Sequence, residues 1–329
     1  MITMASPTHR RLAARQRGAA LLTAMIIVTL IATLAASMVW QQWRAVQVEA
    51  AERARTQSSW ILSGALDWAK LILVEDQRTT ERRHQPTALT SPWAVPLEEA
   101  RLSTFLAADK DNNTEGGPEA FLSGSITDVQ GRYNLNRLFD SPTGTGTLNT
   151  DERLKLEQLC QALGLDSSVA GRIANGMRDA RAAAANAPLE PKKVSQLTWL
   201  GIDAASVAAL EPYVSLLPPA PGSTSVNVNT APREVLLAVL SDPGTTEWIL
   251  QTRQRTPFEN TTKIKAQAPN LDLDKLKIGT TSAFFEVRGR IRLADRILEE
   301  RSLVQRQSSP KPPLVLERER ISSRESSGS

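Results

Sequence analysis

Residues 19–43 contain no ionisable side chain, and a basic stretch ends immediately before them. The sequence reads RQRG, then AALLTAMIIVTLIATLAASMVWQQW, with no loop-forming spacer between. As a helix such a run is long enough to cross a hydrocarbon core of about 30 Å. The glycine at the charge boundary, Gly18, sets the run apart from a signal peptide, whose cleavage site lies beyond the apolar stretch. A signal-peptidase cut near residues 35–37 is the rival reading. The long uncharged run and the Gly18 boundary argue against it.

The formal net charge of +4 is misleading. Residues 1–18 carry Arg10, Arg11, Arg15 and Arg17 and no acid, so the remainder of the chain is neutral. The basic bias therefore gives no footprint for nucleic acid. It does set topology: positive charge before the first span keeps the N-terminus cytoplasmic and sends the rest of the chain across the membrane. Cys160 is the single cysteine, so no internal disulfide can form, and it reads as a small core residue. The histidines are His9 and His84. That leaves little material for a metal cluster, a catalytic triad or a thiol nucleophile.

No proline falls between Pro7 and Pro86, so the helix starting at Ala19 continues to about Glu75. Past Trp43 it turns amphipathic. Ile61, Ala65, Trp68 and Ile72 fall at helical spacing, flanked by Leu62, Leu66 and Leu73. Glu49 with Arg53, Glu52 with Arg55 and Asp67 with Lys70 pair along its wet face. Residues 76–120 read mostly as loops. FLSGSITDVQGRYNLNRL reads as strand, turn and strand. The period is helical from 151 to about 279, in two short-helix modules split near LPPAPG. Strands return at FFEVRGRIRLAD, where Phe285, Val287, Gly289, Ile291 and Leu293 alternate with Glu286, Arg288, Arg290 and Arg292. RILEERSLVQRQ and PPLVLERERI complete an antiparallel meander. Strand material thus flanks a helical block, which reads as an insertion into a smaller helix-plus-sheet domain.

RQRGAALLTAMIIV, WAVPLEEARLSTFL, FLSGSITDVQGRYNLN, VNVNTAPREVLLAVL and FFEVRGRIRL together resemble the K component of the bacterial type II secretion system, a minor pseudopilin (general secretion pathway protein K family). The likeness runs from the leader to the last strand. It implies a prepilin peptidase cut between Gly18 and Ala19 and N-methylation of Ala19. It also implies an inner-membrane anchor that later packs in a periplasmic filament, with the minor pseudopilins I and J as partners at the filament tip. Pilins carry Glu at the fifth mature position, paired with the N-terminal ammonium of the subunit above; K components generally lack it, and here Thr23 takes the place. A tip subunit has nothing above it, and a carboxylate buried unpaired there costs several kcal/mol. Thr can bond its own backbone instead. The bulk of the insertion points the same way, because it would clash with a subunit stacked over it.

VNVNTAPREVLLAVL also resembles the opening of a helix-hairpin-helix module of competence-type DNA receptors. Its turn, SDPGTT, has one glycine where a phosphate-binding hairpin carries G-x-G. Residues 226–279 hold seven Lys/Arg against six Asp/Glu, too few unopposed cations for a phosphate backbone. In NTAPREV, Asn229 or Thr230 reads as an N-cap. ADKDNNTEGGPEA places Asp109, Asp111 and Glu115 at alternating positions, which invites calcium. Thr114 and Ala120 break the EF-hand pattern, so a solvated polar loop is the competing reading. Calcium occurs in family members, which often carry an acidic stretch in the insertion; GMRDARAAAANAPLE lacks most of it.

The expected fold is α+β: a pilin-like long N-terminal helix on an antiparallel sheet, with a large α-helical (SAM/helix-hairpin-helix-like) insertion. The expected divisions are a leader at 1–18, the membrane and filament-core helix at 19–43, and the amphipathic helix with the first part of the β-domain at 44–149. Helical modules follow at 150–222 and 223–279, then C-terminal strands at 280–321 and a disordered tail at 322–329. The expected function is priming of pseudopilus assembly from the tip, for protein export across the outer membrane. No catalysis, cofactor or nucleic acid is expected. The alternative is a membrane-anchored DNA receptor.

Overall fold

The computed structural model describes residues 9–83, 85–102, 120–141, 146–182, 187–220, 222–293, 296–308 and 311–321, with side chains from residue 19 onward except those of residues 83 and 296. Helix α1, His9–Arg83, spans 75 residues. The expected wet-face pairs are present: Arg53–Glu49 at 2.5 Å, Arg55–Glu52 at 4.0 Å and Lys70–Asp67 at 2.9 Å. Two compact units result, Met1–Trp60 and Ile61–Ser329.

In the second unit the helix buries Leu62, Leu66, Ala69 and Leu73. This stripe lies one residue off the expected one. Ile61, Ala65 and Ile72 are half-buried, and Trp68 is exposed. Leu66, Ala69 and Leu73 pack with Trp93, Phe285, Val287 and Val304, where Trp93 meets Phe285 edge-on at 5.2 Å. Strand β1, Leu97–Arg101, follows. It is a short edge strand in a region expected to be loop.

Strand β2, Ala120–Asp128, ends in a 3-10 turn at Val129–Gly131. The expected second strand is reduced to β3, Tyr133–Asn134, which pairs in parallel with β4, Val214–Ser215, away from the main sheet. Between them lie α2 (Thr150–Ala162), α3 (Ser168–Arg181) and α4 (Ala204–Leu210). Asp203 caps α4 by accepting from the Ser206 amide. A second bracket forms where β5, Val226–Asn227, pairs in parallel with β6, Ile278–Gly279. It encloses α5 (Arg233–Leu240), α6 (Pro243–Arg255), α7 (Thr262–Gln267) and α8 (Leu273–Leu276). Both brackets contribute to one core, from Tyr133 and Leu156 through Val235 and Ile249 to Leu273.

The chain then returns through β7 (Phe284–Leu293), β8 (Arg296–Gln305) and β9 (Leu314–Ile321). The main sheet is antiparallel throughout, in the order β1-β2-β7-β8-β9. Asp128 is in register with Phe285, so the helical block leaves and re-enters at the ends of two adjacent strands. Gly124 faces Gly289 in that register. A Cβ at Gly124 would lie 2.8 Å from the Arg288 carbonyl oxygen, and one at Gly289 3.0 Å from Leu62, so glycine sets how closely the helix approaches. The expected wet face of β7 fails at its start. Glu286 is buried, paired with Arg132 at 3.3 Å and Arg288 at 2.7 Å, because the helical block covers that face.

Candidate functional site

Two regions qualify: the apolar start of α1, and the joint that sets the helical block on the sheet. In the first unit every side chain over residues 19–50 is exposed, including Leu21, Ile26, Ile31 and Trp40. Among the described residues this is the one helix long and apolar enough to cross a membrane. Exposed aliphatic side chains on this scale are not stable in water, so the surface needs lipid or other protein around it. Gly18 and Ala19 both lie inside the helix. The Thr23 hydroxyl donates to the carbonyl of Ala20 at 2.9 Å and lies 3.2 Å from that of Ala19. Thr29, Thr33 and Ser37 return their hydroxyls in the same way to Ile26, Leu30 and Leu34. The four hydroxyls of the run are thus satisfied within their own helix, as an apolar medium requires.

At the joint, Asp128 is buried and takes four donors: the Gln130 amide at 2.8 Å, Asn227 Nδ2 at 3.0 Å, Thr230 Oγ1 at 2.6 Å and Ser282 Oγ at 2.6 Å. Burial raises its pKa, and the hydroxyl, amide and backbone donors oppose the rise. Gln130 bridges the two crossings, donating to the Gly222 carbonyl at 2.8 Å and accepting from the Ala283 amide at 2.6 Å. Thr230 therefore caps no helix. The residue before α5 is Pro232, and Asn229 instead bonds both the amide and the carbonyl of Phe258, at 2.8 and 3.0 Å.

A second polar cluster pins the two brackets together. Arg137 is fully buried. It holds Glu152 through Nε at 2.8 Å and reaches the carbonyls of Thr224, Leu276 and Lys277 at 2.8, 2.7 and 3.2 Å. Tyr133 and Lys155 also donate to Glu152, at 2.9 and 2.7 Å. Burial pushes the Glu152 carboxyl up, but Arg137 and Lys155 outweigh it and hold it at about 2. Sequence reasoning missed both clusters, since their partners lie far apart along the chain.

The remaining candidates resolve simply. Cys160 is buried, and burial pushes its thiol up to about 11, which makes it a poor nucleophile. Asp109, Asp111 and Glu115 lie outside the described residues, among which no group of His, Cys, Asp or Glu could hold a metal. In the hairpin between α5 and α6, the Gly244 amide already donates to Asp242 Oδ1 at 3.0 Å. A carboxylate thus occupies the helix start where a phosphate would sit. Arg253 is spent on the carbonyls of Val228 and Ala231 at 2.8 and 2.7 Å, and Arg233 on Glu247.

Two family models of type II secretion system protein K match this chain, over residues 131–219 and 226–282. The matches coincide with the two brackets. Both matched models describe the type II secretion system protein K family. The chain is 25% identical over 308 residues to type II secretion system protein K of Pseudomonas aeruginosa, covering 85% of this chain and 86% of that relative. Its fold is similar to a chain in the crystal structure of the GspK-GspI-GspJ complex from enterotoxigenic Escherichia coli, with a TM-score of 0.62 at 22% identity, over 83% of this chain and 99% of that one. The pilin-like helix and sheet with a helical insertion is thus the architecture of a K component. Nothing in the hairpin favours the DNA-binding alternative.

Proposed function

We propose that this K component is the minor pseudopilin at the tip of a periplasmic pseudopilus, where it primes assembly for export across the outer membrane. In this reading the prepilin peptidase cuts between Gly18 and Ala19, and Ala19 is N-methylated. The apolar helix is a single-pass inner-membrane anchor with a cytoplasmic N-terminus and a periplasmic C-terminal domain. The partners are the minor pseudopilins I and J, counterparts of the GspI and GspJ that accompany GspK in the similar complex. The role is structural, without catalysis, cofactor or nucleic acid.

The observation that carries the reading is the helix start itself. Its side chains are exposed and its hydroxyls self-satisfied, and Thr23 stands where a shaft subunit needs a carboxylate. A subunit with no neighbour above gains nothing from that carboxylate and avoids its desolvation. Immunogold labelling of filaments tests the position. Label at one end supports the tip assignment, and label repeated along the shaft contradicts it. Co-purification of full-length protein with I and J tests the partners.

A further inference from the structure

Every polar atom of one residue just after α1 is bonded to the second bracket, to the segment that leaves it, or to the end of β8. That residue, Thr87, is fully buried. Its amide donates to the Thr280 carbonyl at 2.9 Å, and its carbonyl accepts from Asn227 Nδ2 at 3.0 Å. Its hydroxyl oxygen accepts from the Ser282 amide at 3.1 Å and from the Arg306 guanidinium at 3.0 Å. Arg306, at the end of β8 and also buried, donates to the Ser282 carbonyl at 2.6 Å and to Asp76 of α1 at 2.6 Å. Ser282 in turn donates to Asp128 at 2.6 Å, which also holds Asn227 and Thr230 of the insertion. Asp76 is the one carboxylate in direct contact with Arg306 among the described residues.

We propose that Thr87 and Arg306 form a relay that makes the set of the helical insertion conditional on the docking of the last turns of α1. Lifting those turns takes Asp76 from Arg306 and leaves a buried guanidinium without its paired carboxylate. The guanidinium then loses its fixed position on Thr87 and Ser282, and those residues hold Asn227 of β5 and the segment that follows β6. A displacement of the anchor helix reaches the insertion directly, through side chains, and not only through the sheet. The relay does not depend on where the protein sits in a filament, so its failure and the failure of the tip assignment are separate results.

Hydrogen exchange on the full-length protein in detergent tests it. Asp76→Asn keeps the shape and removes the charge. It should speed exchange by about tenfold at Val226, Val228 and Ser282 as well as in the last turns of α1. Amides of the distant insertion core, such as Leu156 and Ile173, should keep their protection. Thr87→Val removes the relay hydroxyl without touching any charge, and it should give the same pattern at Ser282 and Val228. Acceleration confined to α1, or a uniform rise across the whole molecule, would overturn the relay.

Discussion

Helix α1 carries two apolar stretches with opposite fates. Residues 19–43 are apolar all round, and each side chain is exposed. From Ile61 onward the apolar positions narrow to a stripe, and Leu62, Leu66, Ala69 and Leu73 are buried on a sheet. The same secondary structure is thus finished in one place and unfinished in the other. A stripe can be satisfied by one neighbouring sheet. A helix apolar on all sides needs a surrounding medium, whether lipid or a bundle of other helices. The folded chain provides the first and leaves the second to its surroundings.

Substitutions that separate the two stretches sharpen the contrast. Leu73→Ala removes a fully buried side chain and should cost about 2–5 kcal/mol in urea unfolding, while membrane retention in fractionated cells stays intact. Leu30→Arg should do the reverse. A charge at the middle of the span costs about 3 kcal/mol of insertion free energy, so membrane retention falls while the domain unfolds at the same urea concentration. Equal effects of the two changes on both readouts would break the comparison.

Acid separates them as well. The folded Glu152 carboxyl, at about 2, lies below its ordinary value of 4.5. Its contribution is fully present above pH 4.5 and is lost as the pH falls through about 2; it amounts to about 3 kcal/mol. Asp76 and Asp128, raised by burial, act in the opposite sense and offset part of it. Glu152→Gln should therefore flatten the acid limb of the thermal stability profile. Residues 19–43 contain no ionisable side chain, so their partition into bilayers should not change over the same range. The smallest effect belongs to Leu71→Arg, at an exposed apolar position past the span. Unfolding should stay within about 0.5 kcal/mol and membrane retention should be unaltered.

Those contrasts also show what sequence alone could reveal. The uncharged run, the flanking strands and the helical block were legible because each is a local pattern of composition or period. The buried stripe of α1 was displaced by one residue, since Ile61, Ala65, Trp68 and Ile72 are as apolar as the residues that are buried. Only the position of the sheet decides between them. Strand β1 was missed because LEEAR shows no alternation of apolar and polar residues. Glu286 looked solvent-facing by parity, yet the helical block reaches over β7 and supplies Arg132. Thr230 fits a helix cap by local rules, but its hydroxyl goes to Asp128, 102 residues away. Side chains whose partners lie that far along the chain have no local signature.

The fate of the helix start decides between a filament subunit and a processed, anchorless protein. Mass spectrometry of the mature N-terminus, from a host with an intact secretion system, tests it directly. The prediction is a chain beginning at N-methylated Ala19, with the whole apolar run retained. An N-terminus beyond Ser37 would remove the unfinished stretch altogether and contradict the pseudopilin assignment.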